Sequence, residues 1–198
     1  MLYIFDMGGV VCSTSHVEED VGTVLHITRD AFLCFCRGNG PDEDLRAMNS
    51  DGRINSAEFW RRFSERSGIT VQTDWWQWLF HPVMDKGTAA IIAALRAAGN
   101  RVVCGTNTID SHYRNHCERG DYALFDQTYA SFLMGVSKPD PAFWRIILAA
   151  EGAEAASCVF IDDRQENCDA AAGLGIRAIR FEGAAALAHS LGLHNLPL

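Results

Sequence analysis

Six residues of this chain are best equipped for chemistry: Asp6, Thr106, Asn107, Lys138, Asp162 and Asp163. Each follows a short, mostly apolar run that reads as a buried strand. Leu2 to Phe5 precedes Asp6, Arg101 to Gly105 precedes Thr106-Asn107, Gln127 to Phe132 precedes the loop carrying Lys138, and Cys158 to Ile161 precedes Asp162-Asp163. In a parallel sheet these ends share one edge, and open α/β sheets bind their ligands there. Gly8 and Gly9 follow Asp6 at once, so backbone passes close beside the carboxylate and Gly9 falls among the groups that meet a substrate. Carboxylates converging on one rim repel each other, and a divalent cation with oxygen ligands relieves that repulsion. Magnesium suits a few carboxylates, waters and a phosphate. A hydroxyl, an amide and an ammonium opposite the cation would bind the remaining oxygens of a phosphoryl group. Singly, these residues read as helix caps, turn formers and a surface lysine. Their joint placement at successive strand ends is what points to a site.

The elements that must position them alternate after residue 85. Helices are predicted from Thr88 (as N-cap) to Ala98, from Asn107 to Arg119 with its leading loop, from Asp140-Pro141 by N-cap and first-turn proline, and from Gln165 to Leu174. A last strand, Ile176 to Phe181, precedes an alanine-rich helix. Five strands with intervening helices predict an α/β, Rossmann-like parallel sheet covered by helices on both faces. Between residues 14 and 85 the pattern is helical instead, with His16 to Ile27, Arg29 to Arg37, Asp42 to Met48 and Glu58 to Ser67 at helical spacing. The expected division is a discontinuous core, 1–13 and 86–198, with an inserted all-helical cap, 14–85. Asn49 to Glu58 invites a calcium-loop reading, but Ala47 stands at the first ligand position, so a turn with Asn55 as the next N-cap is preferred. The segment Trp75, Trp76, Trp78, Leu79 and Phe80 reads as packing between helices rather than as a stacking site.

At 198 residues, the chain suits one domain with a substantial insertion. Its 48% hydrophobic and 21% charged content is that of a soluble globular protein, and its net charge of -8 argues against nucleic acid or an anionic membrane as partner. No apolar run is long enough to span a bilayer, and the start MLYIFDMGG lacks the basic region of a signal peptide. Seven scattered cysteines without a C-x-x-C pair predict reduced thiols and a cytoplasmic setting. Monomer and homodimer are both open.

Phe5-Asp6-Met7-Gly8-Gly9-Val10, Thr106-Asn107, Lys138-Pro139 and Phe160-Ile161-Asp162-Asp163 with Asn167 resemble the four motifs of the haloacid dehalogenase superfamily, over nearly the whole chain. Within it the motifs are most similar to the bacterial sugar-phosphate phosphatase branch that includes α-D-glucose-1-phosphate phosphatase. The resemblance implies Asp6 as nucleophile, forming an aspartyl-phosphate that water hydrolyses. It implies magnesium held by Asp6, the Gly8 carbonyl and Asp163, with Asp162 and Asn167 behind them. Thr106, Asn107 and Lys138 would bind the phosphoryl group of a small phosphorylated metabolite, and the helical cap would close over it.

One position departs from that pattern. Most phosphatases of the superfamily carry a second aspartate two residues after the nucleophile as general acid and base, and here Gly8 stands there. General acid–base assistance typically contributes about 10²- to 10⁴-fold. Three explanations are open: a leaving group that needs little protonation, such as the anomeric oxygen of a sugar 1-phosphate; a proton from a cap residue such as His16 or from water; or halide as the leaving group. The paired Asp162-Asp163 weighs against the metal-free dehalogenases. A phosphate-ester binding or regulatory protein with little turnover is the other alternative.

Overall fold

The computed structural model describes residues 1–13, 16–38 and 40–193. The chain opens with β1 (Leu2–Phe5) and a short β2 (Cys12–Ser13). Helices α1 (Val17–Val24), α2 (Arg29–Arg37), α3 (Leu45–Ser50), α4 (Ser56–Ser67) and the single turn α5 (Trp75–Trp78) follow as an insert. β3 (Val83–Met84) pairs antiparallel with β2, so one two-residue ribbon carries the chain out to the insert and back. Strands this short leave no periodicity to detect, and the ribbon is not legible in the sequence.

From there the chain alternates: α6 (Lys86–Ala97), β4 (Arg101–Thr106), α7 (Asp110–Arg119), β5 (Gln127–Ala130), the turn α8 (Ser131–Met134), α9 (Pro141–Glu151), β6 (Cys158–Asp162), α10 (Gln165–Ala172), β7 (Arg177–Arg180) and α11 (Ala184–Ser190). The strands form a five-stranded parallel sheet in the order β5-β4-β1-β6-β7. β1 is central because it is apolar on both sides. Leu2 and Ile4 face a cluster with Phe143, Trp144 and Ile147 of α9, while Phe5 faces Ile91, Ile92 and Leu95 of α6 and Leu187 of α11. Burying a side chain of this size stabilises by about 1.5–3 kcal/mol, so the covered faces hold the sheet.

Three local expectations change. The cap of α6 is Asp85, whose Oδ1 accepts from Thr88 N at 2.6 Å, and Thr88 is buried in the first turn instead. A carboxylate is a strong N-cap acceptor, and it starts the helix earlier. The third sheet strand stops at Ala130, and Ser131 turns into α8. β6 extends to Asp162, whose backbone pairs with Arg180. At Asn49 to Glu58 the turn reading holds: Asn55 accepts from Glu58 N at 2.9 Å, and the Glu58 carboxylate pairs with Arg61 and Arg62.

The insert has its own aromatic core of Phe32, Phe59, Trp60, Phe63, Trp76 and Phe80, and Ile109 of the following segment packs against it. Trp76 lies edge-on to Phe32 at 5.6 Å, as packing predicts, while Trp78 is exposed. Polar bonds pin the insert to the sheet side: Asp74 takes bonds from Trp60 Nε1 (3.0 Å) and the Ser111 hydroxyl, Asp110 from Ser56 N (3.0 Å), and Ser131 Oγ donates to Ser50 O (2.7 Å). Gly52 sits at φ +70°, and a Cβ there would lie 2.0 Å from the Phe132 carbonyl, so only glycine allows this approach. Among the described residues no helix is long and apolar enough to cross a membrane.

Candidate active site

Asp6 continues β1 by donating its N–H to Ile161 O at 2.9 Å, which fixes its carboxylate at the sheet's carboxyl edge. Oδ1 accepts from Met7 N (2.7 Å) and faces Lys138 Nζ at 2.9 Å. Among the described residues nothing donates to Oδ2. Burial pushes this carboxyl up to about 6, with Lys138 holding it down against burial.

Lys138 is almost wholly buried, and its ammonium meets three acceptors: Asp6 Oδ1, Asp162 Oδ2 at 2.7 Å and Gly105 O at 2.9 Å. An ammonium has three protons, so all are engaged. Burial alone would lower its pKa, but Asp6 and Asp162 more than offset that and hold it above the usual lysine range. Asp162, not Asp163, is therefore the carboxylate that steadies the lysine. Its other oxygen accepts from Arg164 N and Asn167 Nδ2, both at 2.9 Å. Asn167 thus orients Asp162, and both oxygens of that carboxylate are occupied.

Asn107 has a further task beside the expected phosphate contact. Its amide grips the Lys138 backbone from both sides: Nδ2 donates to Lys138 O and Oδ1 accepts from Lys138 N, each at 2.8 Å. The side chain thus positions Lys138, and its second Nδ2 proton and the Asn107 backbone N–H remain for a phosphoryl oxygen. Lys138 itself reaches such an oxygen only by releasing a present partner. Thr106 is more available, since its buried hydroxyl makes only a 3.4 Å contact to Asn107 O.

Asp163 lies on the open side of the rim. Burial and then the Asp162 charge raise its pKa above the ordinary aspartate value. Carboxylate oxygens of Asp6, Asp162 and Asp163 lie within 4.8 Å of one another. Gly9, at φ +77°, brings its backbone so close that a Cβ would sit 2.5 Å from Asp163 Oδ2. With Lys138, Arg164 N and Asn167 already on Asp162, the donors most open to a cation are the Asp6 and Asp163 carboxylates and the Gly8 carbonyl, to which no described residue donates. This all-oxygen set, on carboxyls raised by burial and then by the Asp162 charge, fits a hard divalent ion.

Above the rim is a cavity of about 540 Å³. Met7, Gly8, Thr106 and Asn107 line one end, and Phe59, Trp76, Phe80 and Ile109 another. His16 also borders it but caps α1 with its side chain 89% exposed, 3.4 Å from Glu19, which does not mark it as a fixed proton donor. Two histidines not singled out from the sequence also line it, His112 and His116, one turn apart on α7. Burial drives His112 down to about 3, so it is neutral at physiological pH, stacked on Phe80 at 3.9 Å. His116 is lowered by burial too, with its Nδ1 2.8 Å from Asp121 Oδ2. Their i, i+4 spacing just after Thr106-Asn107-Thr108 was the available signal.

A parallel sheet whose carboxyl edge gathers three aspartates and a buried lysine, with a helical insert after its first strand, is a Rossmann-like α/β architecture with an acidic rim. The chain belongs to the haloacid dehalogenase-like hydrolases, an enzyme family whose model matches residues 1–175. It is 27% identical over 181 residues to the sesquiterpene phosphatase astK of Aspergillus oryzae, an alignment covering 87% of this chain and 85% of that one. Its fold is similar to a predicted HAD-like family hydrolase from Porphyromonas gingivalis, with a TM-score of 0.80, 21% identity and 98% of both chains covered. It is also similar to the HAD family enzyme bt-2542 of Bacteroides thetaiotaomicron, solved with magnesium and inorganic phosphate, with a TM-score of 0.75, 23% identity and coverage of 90% of this chain and 92% of that one.

Proposed function

We propose that this chain is a magnesium-dependent phosphatase that hydrolyses a small phosphorylated metabolite through an aspartyl-phosphate on Asp6. The observation that carries this reading is the asymmetry of Asp6, with Oδ1 held by Met7 N and Lys138 while Oδ2 has no donor among the described residues. Oδ2 attacks phosphorus, the new O–P bond forms as the ester O–P bond breaks, and the electron pair departs on the alcohol oxygen. Water then attacks the aspartyl-phosphate and releases Asp6. Lys138 keeps Asp6 anionic near neutral pH and fixes its rotamer, and Thr106 donates its hydroxyl to a phosphoryl oxygen.

Asp6, the Gly8 carbonyl and Asp163 would hold magnesium, with Asp162 and Asn167 bracing the arrangement from behind. When bound, the ion offsets the charge of the phosphoryl oxygens. We assign residues 14–85 as the cap and 1–13 with 86–198 as the core. A relative whose name specifies a phosphatase supports the reaction class. The free state of all seven cysteines fits a reducing, cytoplasmic setting.

Gly8 supplies no acid to the departing oxygen, so the favoured esters are those whose alcohol leaves as a stabilised anion. The anomeric oxygen of a sugar 1-phosphate meets that requirement, and so does an aryl oxygen. The test is phosphate release from sugar 1-phosphates, sugar 6-phosphates and p-nitrophenyl phosphate, with magnesium and with chelator. Magnesium-dependent release that vanishes in Asp6→Asn and favours stabilised leaving groups is the expected result. Gly8→Asp should then raise turnover of the 6-phosphates more than that of the aryl ester. Release that persists in Asp6→Asn would overturn the assignment of the nucleophile.

A further inference from the structure

The walls of the cavity say what kind of alcohol it holds, an inference that rests on the phosphatase reading of the rim. Its volume, about 540 Å³, is that of a pocket for a whole small molecule rather than for a phosphate alone. Away from Gly8 and Thr106 the lining has an apolar wall of Val17, Phe59, Trp76, Phe80 and Ile109, beside a charged group of Glu18, Glu19, Arg29 and Arg46. Four of the wall residues belong to the aromatic core of the insert, so they are fixed by packing rather than free to rearrange. His112 adds a neutral ring stacked on Phe80 and set edge-on to Trp76 at 5.9 Å.

Against this wall stand a few polar atoms without partners. Asn49 Oδ1, Trp76 Nε1 and His112 Nε2 are buried and unbonded, and all three residues line the cavity. Asn49 and Trp76 are 1% and 5% exposed, so solvent does not satisfy them well. A buried polar atom left unpaired is destabilising, and a ligand that pairs with it recovers that cost. One hydroxyl both donates and accepts, so it can pair with Trp76 Nε1 and with the neutral His112 or with Asn49. The charged groups of the lining pair mainly with one another, Glu18 with Arg29 and Arg46 at 2.6 Å and Glu19 with Arg29 at 3.5 Å, which leaves Arg46 Nε as one further unbonded donor. A sugar brings several hydroxyls, each needing a partner once buried, and the aromatic wall has few to give.

We propose that the cavity takes the phosphate monoester of a largely apolar, ring-bearing alcohol with a hydroxyl toward its far end, in preference to sugar phosphates. The phosphoryl group lies at the Asp6 rim, the rings lie against Phe80, Ile109 and Trp76, and the hydroxyl meets the unpaired atoms.

Pairs of esters with matched leaving groups isolate the wall from the chemistry. Cyclohexylmethyl phosphate and glucose 6-phosphate are both primary alkyl esters, and the first should have a kcat/KM at least tenfold higher. Adding a 6-hydroxyl to 2-naphthyl phosphate should lower KM about threefold to tenfold, and His112→Phe, which keeps an aromatic ring but removes the nitrogen, should erase that gain. Ile109→Asn, at a partly exposed position, should narrow the first preference. Calorimetric binding of the same esters to Asp6→Asn with magnesium makes the ranking readable without turnover. Failure of every ester to turn over, with the binding order as stated, would count against the phosphatase reading and support this one. Equal or better use of glucose 6-phosphate, or an unchanged hydroxyl gain in His112→Phe, overturns it.

Discussion

The sheet rim and the aromatic wall of the insert bury polar groups in opposite ways. At the sheet rim Lys138 is closed in by Asp6, Asp162 and Gly105 O, and the other Asp162 oxygen is taken by Arg164 N and Asn167. At the insert wall Asn49, Trp76 and His112 each leave one polar atom unbonded among aromatic rings. Charge buried at the rim is expensive unless it is paired, so geometry there is over-determined. Neutral atoms at the wall cost less, so the fold tolerates them as open valences for a ligand. Rigidity thus sits at the proposed reaction centre, and unfilled hydrogen-bonding capacity sits at the wall proposed to select the alcohol.

Breaking the rim should have the larger effects. Asp6→Asn should lower phosphatase turnover by at least about 10⁴-fold, read by single-turnover phosphate release, since it removes the proposed nucleophile. Lys138→Met leaves two carboxylates facing each other without a cation and should cost roughly 3–5 kcal/mol in chemical denaturation. Trp76→Phe at the wall, which removes an unpaired N–H and part of a packed ring, should cost about 1–2 kcal/mol in the same experiment. A similar loss in both would erase the contrast. Gly9→Ala forces a side chain onto φ +77° and into Asp163. The displaced carboxylate should weaken magnesium binding about 10- to 100-fold in calorimetry, with little change at the aromatic wall.

Acid titration sharpens the comparison, because the two ends respond with opposite sign. His112 is lowered to about 3 from 6.5 by burial, so between those values the unfolded chain binds the extra proton. Stability from His112 is therefore complete above pH 6.5 and falls as pH drops toward 3, by about 1.4 kcal/mol per pH unit. Asp6 is raised to about 6 from 3.8, so in that window the native state holds the extra proton. Its contribution is present below 3.8 and is lost as pH rises to 6, with the opposite slope. In metal-free protein, His112→Phe should flatten the acid-side loss of stability, and Asp6→Asn should remove the opposing limb. Midpoints of urea denaturation from pH 4 to 7.5 measure both.

The rim was readable because its chemistry recurs at fixed places, the last residues of apolar runs. Asp6, Thr106 and Asp163 lie at or just past the ends of those runs, Lys138 lies in the loop beyond the third strand and α8, and the sheet brings the four together. The further role of Asn107 was not readable, since its type and position fit a phosphate contact equally well. Only the structure shows both ends of its amide engaged by the Lys138 backbone. The wall was legible as packing alone: the sequence marked Trp76 and Phe80 for a core, and a core residue can also border a cavity at its edge.

By itself the sequence determined the alternation of strands and helices, the helical insert and the carboxylates at the strand ends, because these follow from local periodicity and from the sidedness of a parallel sheet. Tertiary structure alone decided that Lys138 pairs with Asp162 as well as Asp6, that Gly9 presses on Asp163, and that His112 stands neutral between Phe80 and Trp76. These are contacts between residues distant along the chain, and which partner each charge or ring finds depends on how the covered sheet and the insert pack in three dimensions.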